Sequence, residues 1–427
     1  MSKNKKNKIK QKSDYEKVIL ALHPAWEELK RHPHKDTEGQ DGESIRSFSL
    51  NYSLKISELS EKLSNNTFKF QPLKRATVEK GREILIQRVE ERIVSEAILK
   101  VVSPYLQGLN SNHDFSRRLI NLPNGEIPEY HGIPLAVKVI QEHFNTGHVW
   151  VLEADIKGFF DNVPKKEIFK LISLYVRDKK VLELIKRIIY FSPEISHKKE
   201  PKPYDKTKGL AQGSPLSPLL VSIYLYEFDT FIIKNYPEAK LVRYVDDFII
   251  LCKDESTTKK MYDESIKKLK DMTLDMYKLG EIKNGLEKTR ITCAKGYGSH
   301  SFDFLGLSFN HTDIDITKKK KEEIQKKILE IINARGNFLQ KTRTIESRLI
   351  GYIEHYKWEH YSRTVPSLVK IINFSQKELR SYFINTYTKI TGQYPFKNFS
   401  ESKIDNLFRF IGIDFEYLLK KATKDYE

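Results

Sequence analysis

Cysteine is scarce in this sequence, with two in 427 residues, Cys252 and Cys293. That scarcity excludes a disulfide-stapled secreted scaffold, and the two have no zinc-ligand spacing. Both sit in apolar, strand-like segments and read as buried thiols of a protein in a reducing cytoplasm. No run approaches the ~18 apolar residues of a transmembrane helix, so no membrane partner is expected. The N-terminus, MSKNKKNKIKQKS, is basic but lacks the apolar region of a signal peptide, and it reads as a basic arm. No repeat period is visible, and His143, His148, His300 and His355 form no spaced ligand set.

Positive charge, by contrast, is abundant. The formal net charge is +17, with 31% of residues charged. A surplus of that size favours a polyanionic partner, although general solubility is the plainer alternative. The 22 Tyr and 23 Phe are interleaved with lysine, a mixture suited to a nucleic-acid channel in which ammonium groups meet phosphates and rings stack on bases. The run Lys318–Lys321 is equally well read as a solvated helix start or as a phosphate contact.

The length implies two or three domains. Apolar periodicity predicts helices over 14–31, 48–64, 89–105, 134–146, 164–190 (as two), 215–233 and 258–279. Short strands are expected over 67–88 around Lys80-Gly81, at 149–156, at 289–295 and at 302–309. Residues 192–210 read as a loop with three prolines. Two apolar runs, Leu241–Tyr244 and Phe248–Cys252, flank a short polar break at Val245-Asp246-Asp247, a hairpin signature. From about 318 onward the pattern is helical. Mixed segments first and helices last predict an α+β fold with an appended helical domain.

Adjacent carboxylates at a tight turn disfavour joint ionisation unless a cation neutralises them. An ordinary Asp-rich turn and a metal site both fit Asp246-Asp247 taken alone. Asp155 ends a separate apolar strand. If the strands are neighbours, three carboxylates converge at one sheet edge, an oxygen-only set suited to Mg²⁺ or Mn²⁺. Two such ions about 4 Å apart would activate a 3′-hydroxyl and stabilise leaving pyrophosphate.

These segments resemble the catalytic motifs of reverse transcriptases. Asp155-Ile156-Lys157-Gly158-Phe159-Phe160-Asp161 is similar to the first motif, Gln212-Gly213-Ser214-Pro215-Leu216-Ser217-Pro218 to the second, and Tyr244–Asp247 to the third. Leu286-Glu287-Lys288-Thr289 resembles the fourth and Phe304-Leu305-Gly306 the fifth. Upstream, Gly39-Gln40-Asp41-Gly42 resembles the N-terminal extension of group II intron enzymes. Arg82, the stretch Arg88–Val94 with Arg92, and more loosely Phe115-Ser116-Arg117-Arg118 resemble their fingers motifs. Downstream, Gly351-Tyr352-Ile353-Glu354-His355-Tyr356 resembles a helix of their thumb.

The resemblance implies a right-hand polymerase with fingers, a palm with an antiparallel sheet, and a helical thumb. Its parts would be a basic arm and helix at 1–34, an N-terminal extension and fingers at 35–150, a palm at 151–310 with a fingers insertion near 192–210, and a thumb and C-terminal region at 311–427. Asp155, Asp246 and Asp247 would hold two Mg²⁺ or Mn²⁺ ions, with the Ile156 carbonyl as a further ligand. Gln212 and Gly213 would admit the template–nucleotide pair, because glycine removes a side chain there. Lys288 would lie near the triphosphate as a general acid, Arg82 would grip the phosphates, and Tyr244 would pack under the primer end. Phe160 would clash with a 2′-hydroxyl and so select dNTPs, the alternative being that Phe159 and Phe160 are both core.

The implied partners are an RNA template, dNTPs and a DNA product. The sequence has no paired cysteines of a zinc-bearing endonuclease and no Asn-Ala-x-x-His or Val-Thr-Gly signature of retron enzymes. Leu210-Ala211 precedes Gln212, where the family often has Thr-Pro. The chain is most similar to stand-alone bacterial enzymes that copy a dedicated noncoding RNA in anti-phage defence. The alternatives are a maturase-like or mobile-element enzyme, a non-catalytic RNA-binding scaffold, and a protein-primed or template-independent polymerase.

Overall fold

The computed structural model describes residues 12–32, 35–78, 82–109, 111–116, 132–193, 205–283, 285–295, 301–357, 363–392, 406–409 and 412–423. Most of the basic arm, the Lys80-Gly81 turn, Arg117 and Arg118, His300, and residues 194–204 of the proline-containing loop lie outside the described residues.

The chain opens with α1 (Asp14–Leu20), α2 (Leu22–Leu29), α3 (Ile45–Ser49) and α4 (Tyr52–Ser64). Ser13 and Glu16 form a reciprocal capping box that starts α1. An antiparallel hairpin, β1 (Lys74–Val78) and β2 (Arg82–Ile86), leads into α5 (Val89–Val102). The helix predicted over 89–105 ends as an α-helix at Val102, just before Pro104. Pro104 fits the 3₁₀ turn Ser103–Leu109 that continues from α5. Next come α6 (Ile133–Asn145), β3 (Trp150–Ala154), α7 (Phe159–Asn162), α8 (Lys165–Ser173) and α9 (Lys179–Ile189). The side chain of Asp178 caps α9 by accepting from the N–H groups of Lys180 and Val181.

The apolar helix α10 (Ser217–Asn235) precedes the hairpin β4 (Lys240–Tyr244) and β5 (Asp247–Cys252). Then follow α11 (Glu255–Asp271), β6 (Ile282–Lys283), β7 (Leu286–Glu287), β8 (Arg290–Cys293), β9 (Phe302–Phe304), β10 (Leu307–Phe309) and β11 (Ile314–Ile316). The chain closes with α12 (Lys318–Asn333), α13 (Phe338–Tyr356), α14 (Thr364–Thr391) and α15 (Phe415–Thr423).

One four-stranded sheet has the order β4-β5-β3-β8, and a three-stranded antiparallel sheet has the order β11-β10-β9. The chain divides into two compact units, each discontinuous in sequence. The first comprises Met1–Ala136, Ala154–Ile250 and Ser256–Arg290, and the second Val137–Glu153, Leu251–Glu255 and Ile291–Glu427. In the first, α5 packs against α1, α2 and α9, while α10 packs against α8 and β4. In the second, α14 packs against α12, α13 and α15, and Phe338, Phe383 and Phe408 meet ring to ring. Among the described residues no helix is long and apolar enough to cross a membrane.

Several expectations are corrected. The helix expected over 258–279 runs from Glu255 to Asp271, and the segment after it is extended and bridges Ile156 through Met276. The strand expected over 302–309 is the hairpin β9-β10, turning at Leu305-Gly306 with φ of 55° and 80°. Cys252 is buried, but Cys293 is only half-buried, because β8 is the edge strand of its sheet.

Candidate active site

The Asp155 motif is pinned by backbone. Lys157 N–H donates to Asp275 O at 2.7 Å, and Tyr277 N–H donates to Asp155 O at 3.1 Å, about the antiparallel bridge Ile156–Met276. Successive amide groups of such a ladder point to opposite sides, so the Ile156 carbonyl is turned away from this partner segment. Asn162 Nδ2 donates to Lys157 O at 2.9 Å and draws the chain into α7.

Within α7 the two phenylalanines separate. Phe159 is 1% exposed and belongs to the core, whereas Phe160 is half-buried and meets Phe159 edge to face at 5.8 Å. The Phe160 carbonyl accepts from Leu210 N–H at 2.7 Å, which ties it to the segment that leads into Gln212.

Gln212 and Gly213 answer to β2. Leu85 N–H donates to Gln212 O at 3.1 Å. Gly213 has φ 116°, and a Cβ there would lie 2.9 Å from Leu85 O. The missing side chain thus also permits the close approach of β2. Arg82 opens β2, and its side chain lies outside the described residues.

The β4-β5 turn consists of Val245 and Asp246, with Asp247 already the first residue of β5. Tyr244 and Asp246 are half-buried and Asp247 is exposed. Because β5 neighbours β3, the turn precedes one of two adjacent strands and Asp155 directly follows the other.

Lys288 follows the small β6-β7 hairpin, anchored by its own N–H donating to Glu281 O at 3.1 Å and by the buried Thr289 beside it. Its Nζ donates to Asp155 Oδ2 at 2.7 Å. Burial works against this ammonium, yet the hydrogen bond and charge of Asp155 and the charge of Asp247 outweigh it, so the Lys288 pKa is raised. A second lysine, Lys157, pairs with Glu281 at 2.6 Å and lies over the Tyr277 ring at 5.1 Å.

Among the described residues no three His, Cys, Asp or Glu side chains come together as a ready-made metal-binding group. The expected convergence of three carboxylates is thus realised in strand order but not as a closed ligand cage, since the Lys288 ammonium holds Asp155. The donors still fit a hard divalent cation. Asp155, Asp246, Asp247 and the Ile156 carbonyl offer oxygen only, and Asp155 already attracts a cation.

Sequence reasoning missed a buried network beneath the turn. Arg243, Asp229 and Asp114 are each wholly buried, and Arg243 pairs with both acids at 2.7 and 3.2 Å. The signal was present in the sequence: a charge inside the apolar strand Leu241–Tyr244 and another inside the apolar helix α10.

Residues 63–309, more than half of the chain, match the family described as reverse transcriptase (RNA-dependent DNA polymerase). The group II intron-encoded protein LtrA of Lactococcus lactis subsp. cremoris is 28% identical over 186 residues, covering 42% of this chain and 28% of LtrA. An uncharacterized 91 kDa protein in the cob intron of Schizosaccharomyces pombe is 26% identical over 240 residues, covering 54% of this chain and 27% of that one. Protein YkfC of Escherichia coli is 25% identical over 211 residues, covering 48% of this chain and 52% of YkfC. The chain thus spans from about a quarter to about half the length of these relatives. Among solved structures, telomerase from Candida albicans in complex with a telomeric RNA fragment aligns with TM-score 0.43 at 14% identity, covering 90% of this chain and 67% of that one. A partial Cas6-RT-Cas1–Cas2 complex aligns with TM-score 0.35 at 23% identity, covering 61% of this chain and 42% of that one.

Proposed function

Because this chain belongs to the reverse transcriptase (RNA-dependent DNA polymerase) family, we propose that it adds deoxynucleotides to a primer 3′-hydroxyl on an RNA template. The observation that carries this reading is the meeting of Lys288 with Asp155, 2.7 Å apart, where Asp247 also acts on the ammonium. A non-catalytic RNA scaffold has no use for carboxylates facing a polyanion, because they repel it.

Asp155, Asp246 and Asp247, with the Ile156 carbonyl, would hold two divalent cations. When bound, Mg²⁺ or Mn²⁺ supplies charge stabilisation at the attacking and leaving oxygens. Lys288, beside Asp155, would give a proton to the departing pyrophosphate. The half-buried ring of Phe160 excludes a 2′-hydroxyl, Tyr244 supports the primer end, Arg82 grips the triphosphate, and Gln212 lines the nascent pair. The parts would be fingers at 35–150, a palm at 151–310 and a thumb from 311, and a duplex would be held mainly through phosphates, so binding falls with salt.

The test is primer extension on an RNA template with Asp246→Ala/Asp247→Ala. Complete loss of synthesis is expected, and robust synthesis by that variant would refute the site.

We assign the template to a dedicated structured noncoding RNA used in anti-phage defence, in the cytoplasm. A second reading, an intron or mobile-element enzyme, is favoured by the similarity to LtrA and to the cob intron protein. Sequencing of RNA and DNA that copurify from the host separates them. One dominant small RNA with complementary DNA supports the first reading, and intron RNA supports the second.

A further inference from the structure

The turn that carries the two carboxylates is held in a conformation its sequence resists. Val245 has φ 60°, a left-handed backbone in which a β-branched residue is a genuine outlier. Such strain persists only where the surroundings over-determine it.

Among the groups that hold it is a buried guanidinium. Arg243 Nη1 donates to the Val245 carbonyl at 2.8 Å. Nε and Nη2 donate to the two oxygens of Asp229 at 2.8 and 2.7 Å, and Nη1 also lies 3.2 Å from Asp114 Oδ2. Asp114 is fixed in turn by the Ser222 hydroxyl at 2.5 Å and by the Ser116 N–H and hydroxyl at 3.0 and 2.5 Å. The backbone repeats the connection, with Arg243 N–H donating to His113 O and Phe115 N–H to Arg243 O, both at 2.8 Å.

A buried ion cluster is weak evidence for stability, because apolar groups of the same volume often serve as well. An apolar group, however, cannot donate to the Val245 carbonyl. The planar fork aimed by two carboxylates fixes a direction, and lysine does not reproduce it.

We propose that Arg243 is the positioning residue for Asp246 and Asp247: aimed by Asp229 and Asp114, it clamps the strained Val245 carbonyl and so sets where the two carboxylates stand. The inference rests on the polymerase reading above.

The test uses the full chain with Arg243→Lys, alone and combined with Val245→Gly. Arg243→Lys should lower kcat for single-nucleotide addition about a hundredfold, the scale of a small misplacement at a reacting centre, with KM for primer–template unchanged. It should also weaken Mn²⁺ binding, read by electron paramagnetic resonance without primer or nucleotide, about tenfold or more. Glycine adopts φ 60° without strain, so adding Val245→Gly should return about tenfold of both losses.

Native kcat and Mn²⁺ affinity in folded Arg243→Lys would overturn the proposal. So would losses in a folded variant that Val245→Gly leaves untouched, since these would mark a merely structural role. Where the lysine variant does not fold, Arg243→Gln/Asp229→Asn, which removes the cation with one of its two carboxylates and leaves the cluster's net charge unchanged, is read by the same criteria. A native chain that neither adds nucleotides nor binds Mn²⁺ would overturn the polymerase reading itself, and this inference with it.

Discussion

Lys288 Nζ lies 2.7 Å from Asp155 Oδ2, although the two residues are 133 positions apart in sequence. Replacing Lys288 with alanine should slow nucleotide addition about a hundredfold, the lower range for loss of a general acid. The raised Lys288 pKa keeps the ammonium charged through and beyond its ordinary value of 10.5. In the metal-free chain the Lys288 side chain should therefore titrate above that value, as read by NMR of its ammonium signal. Single-turnover kinetics of the native chain and Lys288→Ala measure the effect on rate.

Phe160 is half-buried while Phe159 is core, so only Phe160 has a ring face to offer a sugar. Phe160→Val should raise rNTP incorporation relative to dNTP, and Phe159→Val should chiefly lower stability. Competitive incorporation of paired ribo- and deoxyribonucleotides measures the first effect, and unchanged discrimination would remove the assignment.

Gly213 packs against the carbonyl of Leu85 at a φ open to glycine. Gly213→Ala should cost about 1–3 kcal/mol, from backbone strain and the clash together. Because Gln212 adjoins it, KM for dNTP should rise as well. Thermal melting and steady-state kinetics on one preparation report both.

Glu91 is 2% exposed and accepts from the N–H groups of Gln71 and Arg88. Burial outweighs those bonds and pushes its carboxyl up from 4.5 to about 7. Between these values the folded chain keeps a proton that the unfolded chain has lost, so stability falls as pH rises through this window. The contribution is on the order of 3 kcal/mol, fully present below the unfolded value and gone above the folded one. Glu91→Gln should flatten that slope in denaturant titrations at pH 5, 6 and 8.

The short motifs were legible because each is fixed by its own neighbours. An apolar–Asp-Asp–apolar pattern makes a hairpin in almost any setting, and Phe159-Phe160 at a helix start divides between core and cleft. Helix and strand types were legible from apolar spacing through most of the chain. Properties set by distant partners were not. One demand for glycine at 213 comes from a carbonyl of β2, more than a hundred residues earlier in the chain. The end of α11 at Asp271 reflects the demand of Ile156 for an extended partner at Met276. Arg243, Asp229 and Asp114 looked like isolated charges until the sheet and α10 brought them into one buried cluster.

The separation of Lys288 from Asp155 also bears on how the protein folds. Closing a loop of 133 residues costs roughly 4 kcal/mol of chain entropy before any constant. The pair is 30% and 21% exposed, and an ion pair of that kind returns about 1 kcal/mol or less. It cannot drive its own closure, so pairing of β5 with β3 and the packing of α10 must come first. Contact order of this kind slows folding. On the ribosome, a chain released before β7 would carry Asp155 beside its neighbouring strands without its lysine. On the proposed function, one of the last contacts of the site to form would then be the one that holds its proton donor.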